Sequence, residues 1–180
     1  TELGHLEEVV KNYSLCSPAT TFILRVDGRE ILCLDRSQNI GERLAVILHH
    51  SGPFIPIDSK ESATGGKGVG FLLPPEQVTP GPARLRVFVN GRAIRDRMIV
   101  HAITEGMRSF LMKGNNPSGL IHLTIPPGEV DVNVHPAKHE VRFRNAREVH
   151  ELLRLAVAKA MQEQQGRLKM NIFSTDRGVE

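Results

Sequence analysis

Apolar residues along this 180-residue chain recur at two periods, and the switches between them mark its elements. Leu3, Leu6, Val9, Val10 and Tyr13 return every three or four positions, the stripe of an amphipathic helix bounded by Pro18. Residues 21–26 and 30–34 read as strands joined across Asp27-Gly28, a hairpin signal because both residues tolerate positive φ. Asn39 with Glu42 three residues on is a capping pair. Behind it, Ile40, Leu44, Ile47 and Leu48 form one apolar helical face that residues 49–53 bring to an end.

Ile55-Pro56-Ile57 starts another extended stretch, residues 63–68 are a flexible turn, and residues 69–73 return from it. Pro74-Pro75 and Pro80-Gly81-Pro82 bracket a polar loop. Arg84, Arg86 and Phe88 then alternate with Leu85, Val87 and Val89, which predicts a strand with one basic face. Asp96 can cap a helix whose buried stripe is Ile99, Ala102, Ile103, Met107, Phe110 and Leu111. Ile121, Leu123 and Ile125 share one side of the next strand. Asn145 and Glu148 can cap a last helix carrying Val149, Leu152, Leu153, Ala156, Val157, Ala160 and Met161.

Between that strand and the last helix, Val130, Val132 and Val134 alternate with Asp131 and Asn133. His135-Pro136 breaks the strand, because proline removes a ladder donor, and Glu140-Val141-Arg142-Phe143 resumes the alternation. Lys138 sits in the break, a point charge on a flexible stem whose base is anchored from both sides. Such a lysine suits a phosphate, although solvated loop lysines have the same spacing.

Hairpins early and strand–helix alternation late predict an α+β fold, a mixed β-sheet with helices on one face. Hydrophobic residues make up 40% of the chain, enough for a packed core, and no apolar run approaches a membrane span. No signal peptide is visible, and the Thr1 start suits an excised fragment. Cys16 and Cys33 form no metal or redox spacing, so both are expected as reduced, partly buried thiols. The net charge of +3 is uneven: residues 1–82 carry −3 and residues 83–180 carry +6. The basic half is where a polyanion would bind.

Most catalytic chemistry finds no foothold. Gly66-Lys67-Gly68-Val69-Gly70 fits neither phosphate-loop pattern and reads as a hairpin turn. His135 and His139 have the spacing of a helical zinc pair, but Pro136 opposes a helix and no third ligand is near, so no metal is expected there. Arg84, Arg86, Arg92, Arg95 and Arg97 crowd one short span with Asp96 as the only acid among them. Forked guanidinium donors suit DNA phosphates; the alternative is internal pairing with Asp96, Glu105 and Asp131. With one tyrosine and no tryptophan in the chain, backbone contact is expected rather than base stacking.

Asn133-Val134-His135-Pro136-Ala137-Lys138 with Glu140-Val141-Arg142-Phe143 resembles the signature that closes the N-terminal ATPase half of the MutL mismatch-repair family. Phe88-Val89-Asn90-Gly91-Arg92 and Arg95-Asp96-Arg97 resemble a second signature of that family in the same order. The resemblance is strong over residues 84–161 and looser before residue 83. It implies that residues 1–18 are a helical lead-in from a GHKL-type ATPase domain, that 19–165 are the transducer domain, and that 166–180 are a frayed tail. The implied fold is that of the second domain of the fifth small-subunit ribosomal protein, shared with gyrase B, with a left-handed βαβ crossover. Lys138 would reach the ATP γ-phosphate in the neighbouring domain, and the arginines, Arg97 first, would contact DNA without sequence preference. The fragment alone would hold no cofactor and turn over no substrate, whereas the full protein would use ATP and Mg2+. Implied partners are DNA, the ATPase domain, a MutS-like mismatch-recognition protein and a second copy, in the bacterial cytoplasm at the nucleoid. The rival readings are a protein-interaction scaffold without DNA contact and the equivalent domain of a gyrase-B-type ATPase.

Overall fold

The computed structural model describes residues 2–131 and 141–175 and divides into two compact units, Thr1–Pro53 and Phe54–Glu180. In the first unit, helix α1 (Glu2–Cys16) precedes a hairpin of β1 (Phe22–Val26) and β2 (Arg29–Leu34), followed by helix α2 (Ile40–Leu48). Asp27 and Gly28 make the hairpin turn at φ 49° and 76°, and Leu24 pairs with Leu32. Asn39 and Glu42 close a full capping box on α2: each side chain accepts from the other residue's backbone N–H, at 2.9 and 2.8 Å. His49 stops the helix in the left-handed region at φ 53°.

A buried arginine ties this unit together. Arg43 of α2 is 0% exposed and donates to five backbone carbonyls, those of Ser14, Ser17, Pro18, Thr20 and Asp35, at 2.6 to 3.2 Å. The end of α1, the following loop and the end of β2 all converge on one side chain. This compact unit runs through residue 53. Two expectations change. The α1 stripe is open, with Leu6, Val9 and Tyr13 exposed while Ser14 and Leu15 are buried. Cys33 is exposed, beside Ile23 on the outer side of a two-stranded hairpin; Cys16 is half-buried.

The second unit is built on a five-stranded mixed sheet. Its strands are β3 (Ile55–Asp58), β4 (Lys67–Leu72), β5 (Arg84–Val89), β6 (Arg92–Ile94) and β7 (Ser118–Thr124), in the order β3-β4-β7-β5-β6. β5 and β7 are parallel and the other pairs antiparallel. A parallel pair needs a crossover, which here passes through β6 and helix α3 (Arg97–Gly106). A short ladder of β8 (Val130–Asp131) and β9 (Arg142–Phe143) leads into helix α4 (Ala146–Thr175). Among the described residues no helix is long and apolar enough to cross a membrane.

Period two decides which sheet side is buried. Ile55, Ile57, Leu72, Val87, Val89, Ile121 and Leu123 form one core with Ile99, Ala102, Ile103 and Met107 of α3 and Val149, Leu153, Ala156, Val157 and Met161 of α4. Both helices thus share one face of a mixed sheet, as the α+β reading expects. Glycines set the approach. A Cβ on Gly68 would lie 3.1 Å from the Leu153 side chain, and one on Gly106 would lie 2.7 Å from the Arg154 carbonyl. The Gly66–Gly70 run is therefore mostly strand β4 under a helix, and the turn itself lies just ahead, with Gly65 at φ 84°.

Residues 166–175 extend α4 where fraying is expected past Gln165. Gln, Arg, Leu, Lys and Met are good helix formers, and extending a formed helix adds one hydrogen bond per residue fixed. At the other end of α4, the Glu148 N–H donates to the Asn145 side-chain oxygen, and the Glu148 carboxylate accepts from the Thr64 amide and hydroxyl, both at 2.9 Å. The Thr64 amide above all holds the Glu148 carboxyl below its ordinary value of 4.5. A depressed carboxylate lends its tie above that value and loses it as pH falls through the folded pKa. The Thr64 amide resonance is expected to titrate with a midpoint below 4.5, and the transition should vanish in Glu148→Gln; persistence in that variant would assign it to another acid.

Candidate nucleic-acid interface

The arginine-rich span folds into the β5–β6 hairpin at the sheet edge and the first turn of α3. Asn90-Gly91 makes the turn with both φ values positive, 49° and 79°, the pair that lets two strands keep their twist across two residues. The Asn90 side chain acts as an extra peptide group. It accepts from the Ile125 N–H at 2.9 Å and donates to the Ile125 carbonyl at 2.8 Å, while the Asn90 N–H reaches the Leu123 carbonyl at 2.9 Å. The hairpin tip is thereby fastened to the end of β7. Asn-Gly between two apolar runs is a legible hairpin signal, yet the sequence reading missed β6 because it is only three residues long.

The five arginines come from three elements, β5, β6 with the residues after it, and the start of α3. Arg84 and Arg86 share the sheet face away from the helices, with Arg84 opposite Ser118 and Arg86 opposite Leu120. Arg86 is half-buried, and both arginines already interact with a neighbour. Beside them Phe88 stacks on His122, ring centroids 4.8 Å apart, and burial pushes the His122 pKa down, so this imidazole stays neutral near pH 7. Arg92 opens β6 opposite Val89, at the hairpin tip. Arg95 leaves the ladder one residue past the Val87–Ile94 pair, about 10 Å along the strand from Arg92. Arg97 is the first residue of α3.

Arg92, Arg95 and Arg97 are exposed, and among the described residues they make no ion pair. Two acids expected to neutralise the cluster are engaged elsewhere. Asp96 caps α3, accepting from the Ile99 N–H at 3.0 Å, and Glu105 lies 3.4 Å from His150. Arg95 and Arg97 flank a helix N-terminus, where the aligned peptide dipoles disfavour a cation by roughly 0.3–1 kcal/mol. Placing them there does not serve the helix. Unpaired N–H groups, a dipole and guanidinium donors together form an environment for an anion.

Lys138, His135 and His139 lie outside the described residues. The ladder that brackets them is described: Val130 pairs with Phe143 and Asp131 with Arg142, and buried Phe143 anchors it to the core. An alternative nucleotide pocket is not offered by the recess of about 510 Å³ between the β3–β4 connection and α4. Its charged lining is Asp58, Glu61, Glu148 and Glu151 against Lys60 and Lys159, a net negative surface that opposes a triphosphate.

A family model described as DNA mismatch repair protein, C-terminal domain, matches residues 49–162. The DNA mismatch repair protein MutL of Syntrophotalea carbinolica is 34% identical over 165 residues, covering 91% of this chain and 26% of that protein. The chain thus spans about a quarter of the length of the curated relatives it matches. A crystal structure of the N-terminal domain of a DNA repair protein superposes with TM-score 0.68 at 17% identity, over 89% of this chain and 53% of that one. An Aquifex aeolicus MutL ATPase domain carrying a K252N mutation gives 0.51 at 18%, over 82% and 50%. The B-subunit of Myxococcus xanthus DNA gyrase gives 0.53 at 13%, over 89% and 49%, so gyrase shares the fold. With the family model matched over residues 49–162, well over half of its length, the chain belongs to the DNA mismatch repair family of MutL.

Proposed function

We propose that this chain is the transducer part of a mismatch-repair ATPase and that the N-terminal end of α3, with the β5–β6 hairpin, holds DNA by its phosphates. The observation that carries the DNA reading is the set Arg92, Arg95 and Arg97, exposed and without ion pairs among the described residues. Arg84 and Arg86 lend charge from the adjoining sheet face but already interact with neighbours, so they rank below the other three. Contacts of this kind read the backbone and carry no sequence information.

Arg97→Glu tests the reading cleanly, because a glutamate at the first helical position suits the helix dipole and leaves the fold intact. The variant is expected to bind duplex DNA roughly tenfold more weakly, the size of one lost charge-assisted contact plus repulsion. Arg29→Glu, in the first unit, should change binding far less. Equal losses would mean that bulk charge, not a site, holds DNA. No binding by either parent or variant at low salt would favour the protein-interaction scaffold instead.

Nucleotide and Mg2+ belong to the longer protein on this reading. This chain would contribute Lys138, whose ammonium adds positive charge beside the terminal phosphate. The open α1 stripe of Leu6, Val9 and Tyr13 suits packing by that ATPase domain. A mismatch-recognition protein and a second copy are the further partners this reading carries. Lys138→Ala in the longer protein should slow hydrolysis at least about tenfold while changing nucleotide affinity less. Hydrolysis at the parental rate would make Lys138 an ordinary loop lysine.

A further inference from the structure

We propose that His101, Glu105 and His150 form a binding site for a divalent transition metal, zinc by ligand type, that joins α3 to α4. His101 and Glu105 are four residues apart on α3, so both side chains leave the same face one turn apart. His150 comes from the second turn of α4. The sequence separates it from the other two by 45 residues or more, and only the packing of α3 against α4 brings it near.

The three donor atoms already stand at ligand distances. His101 Nδ1 is 3.0 Å from His150 Nε2, His150 Nε2 is 3.4 Å from Glu105 Oε2, and His101 Nδ1 is 4.0 Å from Glu105 Oε2. A triangle with those sides has a point about 2.0–2.1 Å from every corner, the bond length of zinc to imidazole nitrogen and carboxylate oxygen. An ion there would replace the hydrogen bond between the two imidazoles: its proton leaves and both ring nitrogens turn toward the metal. Two nitrogens and one oxygen suit zinc, cobalt or nickel, whereas calcium and magnesium prefer shells of oxygen.

The surroundings fit the same use. His150 is held between the helices at 19% exposure, while His101 at 71% leaves the outer side open for water as a further ligand. A carboxylate oxygen of Glu151 lies 3.9 Å from the other His150 nitrogen, behind the ring, and Arg154 fixes that carboxylate with bonds of 2.8 and 3.1 Å. A carboxylate behind a ligating imidazole is the usual support for its orientation. Thr104 and Arg108 line the shallow recess beside the site, and the Arg108 and Arg154 charges nearby set the affinity below that of an all-neutral surround. A metal at this point would staple the two helices that cover the sheet. It would also brace α3, the helix whose first turn carries Arg97.

The test uses the full 180-residue chain freed of metal, titrated with zinc chloride alone by calorimetry and with cobalt(II) by visible absorption. One zinc per chain is expected, with a four-coordinate cobalt spectrum and a rise in Tm on zinc addition. His101→Ala and His150→Ala should each weaken binding at least roughly tenfold and abolish that spectrum, since each removes one of only three protein ligands. His101 is exposed, so its variant keeps its fold even if His150→Ala does not. A double change of His49 and His50 to alanine, in the first unit, should leave binding unchanged. Absence of stoichiometric zinc binding, or equal affinity in parent and His101→Ala, would overturn the assignment and leave a hydrogen-bonded histidine pair beside a glutamate.

Discussion

Arg43→Ala is expected to cost the Thr1–Pro53 unit about 3–5 kcal/mol, from the cavity left by a large buried side chain and the carbonyls it leaves unpaired. The guanidinium is fully buried and makes no ion pair among the described residues; carbonyl oxygens from residues 14, 17, 18, 20 and 35 surround it instead. Each accepts a hydrogen bond from a charged group, stronger than one from a neutral donor. Alanine would strand these oxygens away from water and open a cavity as large as the side chain. Arg43→Lys is the informative partner. It keeps the charge, but three donors on one nitrogen cannot span five oxygens, so most of the loss should remain. Amide exchange in α1, β1 and β2 reads the effect residue by residue. Parental protection in Arg43→Ala would mean that the unit is held by its apolar contacts alone.

Gly70→Ala is expected to cost the second unit about 2–4 kcal/mol, from backbone crowding in a packed core. Gly70 sits in the middle of β4, paired with Ile57 on one side and Ile121 on the other. A Cβ there would collide with the Leu120 carbonyl oxygen and lie 3.0 Å from the Ile121 Cα and side chain. A backbone oxygen inside a sheet cannot rotate away, so the strands must separate or the ladder must shift. Gly28→Ala is the contrast at an exposed turn: nothing lies within 4 Å of its added Cβ, and only its φ of 76° opposes alanine. Urea midpoints for the two variants should differ clearly. A Gly70→Ala protein as stable as the parent would show that β4 and β7 pack less closely than described.

Elements were legible where local chemistry decides them. The capping box at Asn39, the Asp27-Gly28 turn, the Asp96 cap and the apolar stripes of α3 and α4 all follow from a few neighbouring residues. What escaped depends on distant partners. Nothing around Arg43 in the sequence says that it is buried, because the carbonyls that accept from it come from three separate segments. The α1 stripe predicts burial, but periodicity cannot say whether a partner for that face lies within the chain. Arg84, Arg86, Arg92, Arg95 and Arg97 look like one cluster in sequence, and the fold distributes them over β5, β6 with the residues after it, and the start of α3. His101 and Glu105 carried a readable four-residue spacing; their third member, His150, did not. The family resemblance of residues 84–161 stood on wording that the comparisons bear out at the level of the MutL family.

The salt dependence of DNA binding by the parent chain and by Arg97→Ala puts the proposed phosphate-binding role of the α3 end to its sharpest test. Each phosphate neutralised contributes about −0.9 to the slope of log K against log salt on duplex DNA. The parent slope should correspond to several phosphates, and Arg97→Ala should be shallower by about one unit with a similar loss on every sequence tested. The same slope in both proteins, or binding indifferent to salt, would contradict a phosphate contact at Arg97 and return the hairpin and α3 to a purely structural role.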